Sequence, residues 1–322
     1  MNILIVGGAG YIGSHCCKKL RQEGFVPTVM DNLVYGHREH VKWGQLIVAN
    51  IGDEKQLEEL FSTTDISAVM HFAAFAYVGE SVTDPRKYYV NNLCNTVTLL
   101  NSMIKHNVRN FVFSSTCATY GNPQYMPMDE NHPQLPINPY GKTKLMVETV
   151  LEDYRHAYGL NYVNLRYFNA AGADLDTEIG EKHDPETHLI PLVLDAASGK
   201  RPLIKVFGND YPTPDGTCVR DYIHVSDLAD AHILALRRLL EQGASDSFNL
   251  GTGKGHSVLE VIHAAEKIVG RKIPLEIHSR REGDPPELVA ANAKALAELG
   301  WKPQITSIED IIASAWKWHQ RL

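Results

Sequence analysis

Several features that define other classes of protein are scarce in this sequence. No apolar run approaches the ~20 residues that a membrane-spanning helix needs. The apolar stretch at residues 2–6 is too short for a signal peptide, and its residues are needed for a strand. The formal net charge of −7 at pH 7 argues against nucleic acid or an anionic membrane as the main partner. We therefore expect a cytoplasmic protein that binds neither membranes nor nucleic acid.

Sequence patterns for metals and disulfides are lacking as well. The five cysteines are scattered and form no CxxC pair, and the fifteen histidines show no HExxH or related cluster. An odd, scattered set of thiols fits a reducing compartment. The sequence therefore predicts free cysteines and no structural or catalytic metal.

What is present is an ordinary globular composition and one informative motif at the start of the chain. The 322 residues are 44% hydrophobic and 21% charged, enough for a large core and two lobes. An apolar run at residues 3–6 predicts a buried strand, the chain turns at Gly7, and a helix is predicted from Tyr11. In such a G-x-x-G-x-x-G turn, Gly7 permits the tight turn, Gly10 lets a pyrophosphate approach the backbone, and Gly13 lets helix and strand pack closely.

The helix N-terminus after this turn favours phosphate binding, because its free N–H groups and positive dipole end attract anions. A glycine triplet alone would equally suit a simple turn. Asp31 strengthens the first interpretation, because it ends a second predicted strand about 18 residues after Gly13, where a carboxylate accepts from an adenosine ribose. Such a carboxylate repels a 2′-phosphate and favours NAD over NADP. Two alternatives stay open: a loop aspartate that caps a turn, and a 2′-phosphate bound by Arg38.

Short apolar runs alternate with longer periodic segments up to residue 168. The predicted strands are 2–6, 26–30, 45–49, 68–72, 110–114 and 161–166, and the predicted helices are 11–23, 53–61, 84–106 and 139–158. This alternation is typical of an α/β fold with a doubly wound parallel sheet. Beyond residue 168 the segments 170–187 and 200–220 are rich in Gly, Pro and Asp. Helical periodicity returns at 188–198, 226–241, 257–269, 292–299 and 307–320.

The change in composition and periodicity after residue 168 predicts two lobes. We expect residues 1–168 to form a Rossmann-like dinucleotide-binding domain, to which 221–252 return. Residues 169–220 and 253–322 are expected to form a smaller mixed lobe over the carboxyl ends of the strands, where doubly wound sheets bind their ligands.

A candidate catalytic pair lies on the predicted helix 139–158. Tyr140 and Lys144 are four residues apart and share one helical face. A tyrosine of pKa ~10 is a poor base at neutral pH, but a nearby ammonium and a nicotinium charge would lower the pKa of its phenol. Thr116, at the end of the strand before, can hydrogen-bond a reacting sugar oxygen. Without the dinucleotide motif these residues would be an exposed helix face and a loop hydroxyl.

Several stretches together resemble one family. They are Gly-Gly-Ala-Gly-Tyr-Ile-Gly-Ser-His15, Asp31-Asn-Leu33, His71-Phe-Ala-Ala74, Val78-Gly-Glu-Ser81, Tyr88-Tyr-Val-Asn-Asn92, Pro139-Tyr-Gly-Lys142, Arg166-Tyr-Phe-Asn169, Phe207-Gly-Asn-Asp-Tyr-Pro-Thr213, Asp215-Gly-Thr-Cys-Val-Arg-Asp-Tyr-Ile-His-Val225 and Arg281-Glu-Gly-Asp284. The chain is similar to the extended short-chain dehydrogenase/reductases and, among them, to the UDP-glucose (UDP-galactose) 4-epimerase family. The likeness extends into the second lobe, which matters because fold alone does not define function.

The resemblance implies two groups of binding residues. NAD is expected at Gly7, Gly10, Tyr11, Ile12, Gly13, Asp31, Asn32, Asn50, Ile51, Phe72, Ala73, Ala74, Asn91, Tyr140, Lys144 and Phe168. The UDP-sugar is expected at Thr116, Asn169, His188, Leu189, Lys205, Val206, Phe207, Arg220, Arg281, Asp284 and Leu288. The two arginines suit a pyrophosphate, because a guanidinium forks onto phosphate oxygens.

Four positions depart from the commonest pattern of the family. Asn50 replaces an aspartate near the adenine, Ala76 replaces a lysine that some members place by the cofactor, His188 replaces an asparagine by the substrate phosphates, and Thr116 replaces a serine. None of these changes removes the chemistry.

The implied activity is a UDP-sugar 4-epimerase reaction that interconverts UDP-glucose and UDP-galactose through a 4-keto intermediate. Tyr140 would be the base, Lys144 would tune it, and Thr116 would hydrogen-bond the sugar. Leu288 lies where the family places a residue beside the C2 substituent, so N-acetylated hexosamines are expected to be turned over too, unless Leu288 only packs in the core. The family usually forms a homodimer through helices like 84–106 and 139–158.

The fold allows three alternatives to UDP-glucose 4-epimerase activity. A UDP-arabinose/UDP-xylose 4-epimerase shares the stretches 76–81 and 114–121. A dehydratase or decarboxylase of the same fold carries an acid just after the loop Ser-Thr, where this chain has Cys117 and Ala118. A non-catalytic NAD-binding module would not need Tyr140 and Lys144 together.

Overall fold

The computed structural model describes residues 1–281 and 283–322. The strands are β1 Asn2–Val6, β2 Val26–Asp31, β3 Gln45–Val48, β4 Ile66–His71, β5 Asn110–Thr116, β6 Asn161–Tyr167, β7 Asn169–Ala171, β8 Ile204–Phe207, β9 Val219–His224, β10 Asp246–Leu250, β11 Gly255–Ser257, β12 Leu275–His278 and β13 Glu287–Leu288. The α-helices are α1 Tyr11–Gln22, α2 Glu54–Thr63, α3 Val78–Thr83, α4 Pro85–Tyr88, α5 Asn95–Lys105, α6 Pro139–Tyr158, α7 Leu189–Ser198, α8 Val225–Gln242, α9 Val258–Val269 and α10 Ile308–His319.

A seven-stranded sheet organises the first part of the chain. Its order is β10-β6-β5-β4-β1-β2-β3, and every neighbouring pair is parallel. Buried apolar residues cover both faces: one cluster includes Ile3, Ile5 and Val112, and the other includes Leu4, Val6 and Phe111. Successive residues of a strand point to opposite faces, so one strand feeds both clusters. The predicted doubly wound α/β fold is confirmed.

A second set of short strands follows beyond β6. The strand β9 pairs with β7, β11 and β13, and β8 pairs with β12. A third apolar cluster lies here, formed mainly by α7, α9 and α10. The strands β7 to β9 lie in or beside the segments rich in Gly, Pro and Asp, where sequence patterning predicts no strands. The exact division into lobes stays a prediction.

Two predicted helices differ from the structure. The helix predicted at 84–106 contains a π-helical stretch, Tyr89–Cys94, between α4 and α5. In place of the helix predicted at 292–299 there is mainly a π-helical turn, Ala295–Leu299, which ends at Gly300 with φ of +68°. Only glycine adopts such a φ without strain, so the turn stops there.

Candidate active site

The glycine-rich loop joins β1 to α1 at the carboxyl edge of the sheet. Gly7 has φ of +81°, and a Cβ there would lie 2.6 Å from the Ala73 backbone nitrogen. A Cβ on Gly13 would lie 2.3 Å from the Gly7 carbonyl oxygen. Gly10 caps α1 and carries no side chain, so the first-turn N–H groups are left without a side-chain cap. The loop therefore has the close packing and the free donors that a pyrophosphate site needs.

Asp31 ends β2 directly beside this loop. Its carboxylate accepts from the Ala9 backbone N–H at 3.0 Å and from the Leu33 N–H at 2.8 Å. Burial raises the pKa of the Asp31 carboxyl, and these two hydrogen bonds oppose the rise. Each carboxylate oxygen keeps a second lone pair, so the group can still accept from a ribose hydroxyl. The neighbouring Asn32 accepts from the Val34 N–H at 3.1 Å.

Other expected cofactor residues surround the same edge. The Asn50 side chain accepts from Gly52 N–H at 2.8 Å and from the Asn95 amide at 3.2 Å, and Ile51 is buried beside it. The backbone N–H groups of Phe72 and Ala73 both donate to the Val6 carbonyl, at 2.8 and 3.1 Å.

The remaining expected cofactor residues divide between surface and core. Asn91 donates to the Asn92 side chain at 3.0 Å. Ala74 is half-buried, as is Ile12, which packs against the sheet core, and Phe168 is buried near Tyr120.

The candidate catalytic residues sit where β5 meets the start of α6. Asn138 caps α6 by accepting from the Gly141 N–H at 2.9 Å, and Pro139 begins the helix. Thr116 ends β5, and the nearby Thr116 hydroxyl lowers the pKa of the Tyr140 phenol. The Lys144 Nζ donates to the Ser114 carbonyl at 2.7 Å. One base candidate, one hydroxyl and one buried amine thus meet at the carboxyl edge of the sheet.

Burial dominates the pKa values of Tyr140 and Lys144. Burial raises the pKa of Tyr140 to about 12, against the opposing effect of the Thr116 hydroxyl. Burial also lowers the pKa of Lys144 to about 7, against the nearby Glu148 carboxylate. Lys144 points to a carbonyl oxygen and not to the phenol, so in the protein alone desolvation outweighs any help from the ammonium. A lowered Tyr140 pKa therefore needs charge beyond this chain's own residues.

Sequence analysis did not single out the buried ion pair behind this site. Arg166 on β6 donates to Glu148 on α6 through Nε at 3.1 Å and Nη2 at 2.6 Å, with side-chain exposures of 8% and 5%. Ser115 donates to the same carboxylate at 2.5 Å, and Gln134 at 3.1 Å. The sequence signal that could have indicated Glu148 is its spacing, because Glu148 lies on the same helical face as Tyr140 and Lys144, at four-residue intervals.

The expected substrate residues of the second set of strands form one group. Arg220 on β9 contacts Asp284 at 2.5 Å, and its other terminal nitrogen donates to the Val219 carbonyl at 2.8 Å. Leu288 pairs with Arg220 in register between β13 and β9. Arg281 stacks over the Phe207 ring at 4.1 Å.

Five other expected substrate residues have varied surroundings. Asn169 donates to the Asp221 carbonyl at 3.1 Å. Lys205 is exposed, whereas the Val206 side chain packs in the apolar cluster under β8, so only its backbone is free to face a ligand. Leu189 begins α7 and packs on the same cluster. His188 lies among Glu181, Glu186 and His183. Burial lowers the pKa of His188, but the carboxylates of Glu181 and Glu186 outweigh it and raise this pKa to about 10.

Known proteins are similar to this chain over nearly its whole length. Residues 3–251 match the NAD dependent epimerase/dehydratase family. The UDP-glucose 4-epimerase of Rhizobium meliloti (strain 1021) is 55% identical over 320 residues, which cover 99% of this chain and 97% of that protein. The UDP-glucose 4-epimerase of Brucella ovis in complex with NAD superposes with a TM-score of 0.96 at 51% identity, covering 98% of this chain and 97% of that one.

A third relative carries both ligands in its crystal structure. The UDP-glucose 4-epimerase of Bifidobacterium longum in complex with NAD⁺ and UDP has a TM-score of 0.95 at 39% identity, covering 100% of this chain and 98% of that one. The chain therefore belongs to the NAD dependent epimerase/dehydratase family and, within it, to the UDP-glucose 4-epimerases. Within the described residues, no helix is long and apolar enough to cross a membrane.

Proposed function

We propose that this protein interconverts UDP-glucose and UDP-galactose at C4, with NAD as its resident cofactor and Tyr140 as the acid–base group. The observation that carries the proposal is the meeting of Tyr140, Thr116 and Lys144 at the edge of the sheet that also carries the glycine loop. Full-length similarity to UDP-glucose 4-epimerases supports the reaction class.

The residues present fit NAD. A side chain on Gly7 or Gly13 would collide with backbone atoms 2.6 or 2.3 Å away, so the loop is built for close packing of backbone. Asp31 places a carboxylate beside this loop, where it suits a ribose and repels a 2′-phosphate. Bound NAD supplies reversible hydride transfer with C4 of the sugar, and each cycle restores its oxidised form.

The chain's own residues handle the proton and the orientation. Tyr140 removes the proton from the sugar 4-hydroxyl and returns it when the 4-keto sugar has presented its other face. The Thr116 hydroxyl lies near the same phenol, so it can hydrogen-bond the sugar oxygen and align the proton path. Lys144, which donates to the Ser114 carbonyl in this structure, would help to hold the cofactor ribose.

The strand β9 and the segment before β13 supply the anion-binding groups. Arg220 keeps donors free beyond those directed at Asp284 and the Val219 carbonyl, because a guanidinium carries five N–H groups. Arg281, stacked on Phe207, is the second group suited to a diphosphate. Leu288 pairs with Arg220 and packs against the cluster that contains Phe168, which places it between expected substrate and cofactor residues. We therefore extend the substrate range to N-acetylated UDP-hexosamines.

We also infer that the protein is a cytoplasmic homodimer. All five cysteines are free thiols, which fits a reducing compartment. Val90, in the helix that runs from α4 to α5, and Met146 on α6 are 49% and 40% exposed, and these helices are the surface expected to pair. Light scattering of the purified protein measures the mass directly, and a monomer at micromolar concentration contradicts the dimer.

The test of the function needs no added cofactor. Purified protein is incubated with UDP-galactose, UDP-N-acetylgalactosamine or UDP-arabinopyranose, and the products are identified. Protein denatured after purification should release NAD or NADH near one per chain. Release of NADP, or activity that requires a second oxidisable substrate, contradicts the proposal.

The assigned base is tested by Tyr140→Phe. Turnover should fall by roughly 10²–10⁴-fold, as for a lost general base, with NAD content unchanged. Tyr158→Phe is the matched control, because this tyrosine of the same helix is 52% exposed and should leave turnover intact. Near-normal turnover of Tyr140→Phe refutes the assignment.

A further inference from the structure

A second cluster of titratable side chains lies outside the catalytic residues, and one of its members, His188, is also among the residues expected to hold the UDP-sugar. The segment before α7 brings together Glu181, His183, Glu186 and His188, each with one potential ligand atom, and these four atoms all lie within 4.8 Å of one another. The Glu181 and Glu186 side chains are 7% and 14% exposed, and those of His183 and His188 are 20% and 51% exposed. Two imidazoles and two carboxylates thus converge in a mostly buried space.

The nitrogen–oxygen separations of 2.8–3.5 Å, which involve both Glu186 oxygens, bracket the spacing of ligands around one small ion. The His188 Nδ1 lies 2.8 Å from Glu181 Oε1 and 3.2 Å from Glu186 Oε1. The His183 Nδ1 lies 3.3 Å from Glu181 Oε1 and 3.5 Å from Glu186 Oε2. Ligands at ~2.0–2.1 Å from a tetrahedral zinc ion are about 3.3 Å apart.

The hydrogen bonding of the cluster is incomplete despite these short distances. Among the described residues, Glu181 Oε1 and His183 Nδ1 have no hydrogen-bond partner, although both are buried. A buried carboxylate oxygen without a donor costs free energy. Both atoms nevertheless lie close to the other possible ligand atoms of the cluster. One cation among them would satisfy both atoms.

A neighbouring acidic cluster shows the contrast. Asp174, Asp176 and Glu178 also converge, but the Lys18 Nζ lies 2.8 Å from each of them and fills the centre. That cluster already contains its cation and needs no metal. Among the salt bridges of the described residues, Glu181 and Glu186 pair only with His183 and His188, and an imidazole, unlike a lysine, can release its proton to become a metal ligand.

We propose that Glu181, His183, Glu186 and His188 bind one divalent transition-metal ion, with Zn²⁺ the best fit. Mixed imidazole and carboxylate ligands suit Zn²⁺ and its neighbours, whereas Mg²⁺ and Ca²⁺ prefer oxygen alone. The proposal differs from the expectation of no metal, because the E-x-H-x-x-E-x-H spacing of these residues is not an HExxH or CxxC pattern. The proposal does not depend on the proposed function.

The site would fix a loop between the two ligand-binding regions. The His183 ring contacts the Tyr11 ring edge-on at 6.3 Å, and the Tyr11 hydroxyl donates to the Gly172 carbonyl at 2.6 Å. At the other end, His188 is the N-cap residue of α7. A metal held by all four side chains would therefore pin the segment 181–188 between the start of α1 and the start of α7.

Cobalt absorption and metal analysis test the site. Untagged protein carrying Cys94→Ser, which removes the exposed thiol, is stripped with EDTA, dialysed and titrated with Co²⁺. We expect visible absorption that saturates at one Co²⁺ per chain and is abolished by one equivalent of Zn²⁺. Zinc should also raise the melting temperature of the stripped protein. Protein without saturable absorption overturns the proposal and leaves the four residues as histidine–glutamate ion pairs.

Variants locate the binding to these residues. His183→Gln and, separately, Glu186→Gln should each weaken Co²⁺ binding by at least tenfold. Asp176→Asn, in the cluster filled by Lys18, is the matched control and should bind as the parent does. Retained NAD in each variant shows that it is folded. Unchanged Co²⁺ binding in both quartet variants overturns the assignment, whereas loss of epimerase activity with metal binding intact bears only on the proposed function.

Discussion

Removing one member of the buried pair Arg166–Glu148 should lower the free energy of unfolding more than removing both members. Arg166→Met leaves the Glu148 carboxylate, 5% exposed, without its cation, and breaking a buried pair in this way costs ~3–5 kcal/mol. Ser115 and Gln134 still donate to Glu148, so we expect the lower half of that range. Glu148→Leu strands the guanidinium in the same way, with Tyr120 and Gln134 as remaining contacts.

The double variant Arg166→Met/Glu148→Leu removes both charges and fills the space with apolar groups. Replacing a whole buried pair is often neutral or stabilising by ~1–4 kcal/mol. Here Ser115, Gln134 and Tyr120 each lose a partner, at about 1 kcal/mol per hydrogen bond. The gain from apolar packing and the loss of these hydrogen bonds oppose one another. The free energy of unfolding of the double variant should therefore lie within ~2 kcal/mol of that of the parent and should exceed that of both single variants.

Urea unfolding followed by tryptophan fluorescence at saturating NAD measures all four proteins of this cycle. Turnover gives an independent measurement. Ser115 precedes Thr116, and Glu148 lies one helical turn beyond Lys144, so the pair fixes α6 on β5. The double variant should regain stability without regaining full turnover. Single costs that simply add in the double variant would refute the reasoning.

Further expectations concern single positions. Gly13→Ala should lose bound NAD, since its Cβ would lie 2.3 Å from the Gly7 carbonyl, whereas Gly79→Ala, with open space around it, should keep NAD; equal NAD content would contradict the loop assignment. Leu288→Tyr should depress activity on UDP-N-acetylgalactosamine selectively, by ~1–3 kcal/mol in kcat/KM; equal losses on UDP-galactose would refute a specificity role. The pKa of Lys144 is lowered to about 7 in the folded protein, from ~10.4 in the unfolded chain. Protonated Lys144 therefore lowers the free energy of unfolding below pH 7, and the protein regains this stability as the pH rises above 7. Lys144→Met should therefore stabilise the protein more at pH 6 than at pH 9, by up to ~2.7 kcal/mol at 1.36 kcal/mol per pKa unit, in urea unfolding; an equal effect at both pH values would contradict the pKa.

Local sequence patterns carried the prediction of the sheet and of the cofactor edge. The strands up to β6 are buried apolar runs, and the glycine loop and the N-terminus of α6 are defined by residues close in sequence. The strands β7 to β9 escaped prediction because they lie in or beside segments rich in Gly, Pro and Asp and not in the alternation of apolar runs and helices that ends at residue 168. Glu148 and Arg166 are 18 residues apart, and only the packing of α6 on β6 makes them one buried group.

The two sides of the candidate site differ in how far the sequence predicts them. Many of the expected cofactor residues follow strand ends, so order along the chain predicts their place. The expected substrate residues came from resemblance, and only the pairing of β9 with β13 brings Arg220 next to Leu288. The four possible metal ligands are close in sequence, but their loop has no periodicity from which convergence could be predicted.

The position of β10 in the large sheet has a consequence for synthesis of the protein. This strand covers the edge of β6, yet it begins at Asp246, after the chain has passed through β7, β8 and β9. During synthesis on the ribosome, the outer edge of β6 keeps its backbone donors and acceptors unpaired until β10 emerges. Such an open strand edge can pair with other chains. Chains stalled after residue 199 should therefore aggregate or recruit chaperones, while chains stalled well beyond residue 250 should resist proteolysis, which pulse proteolysis of stalled chains can measure.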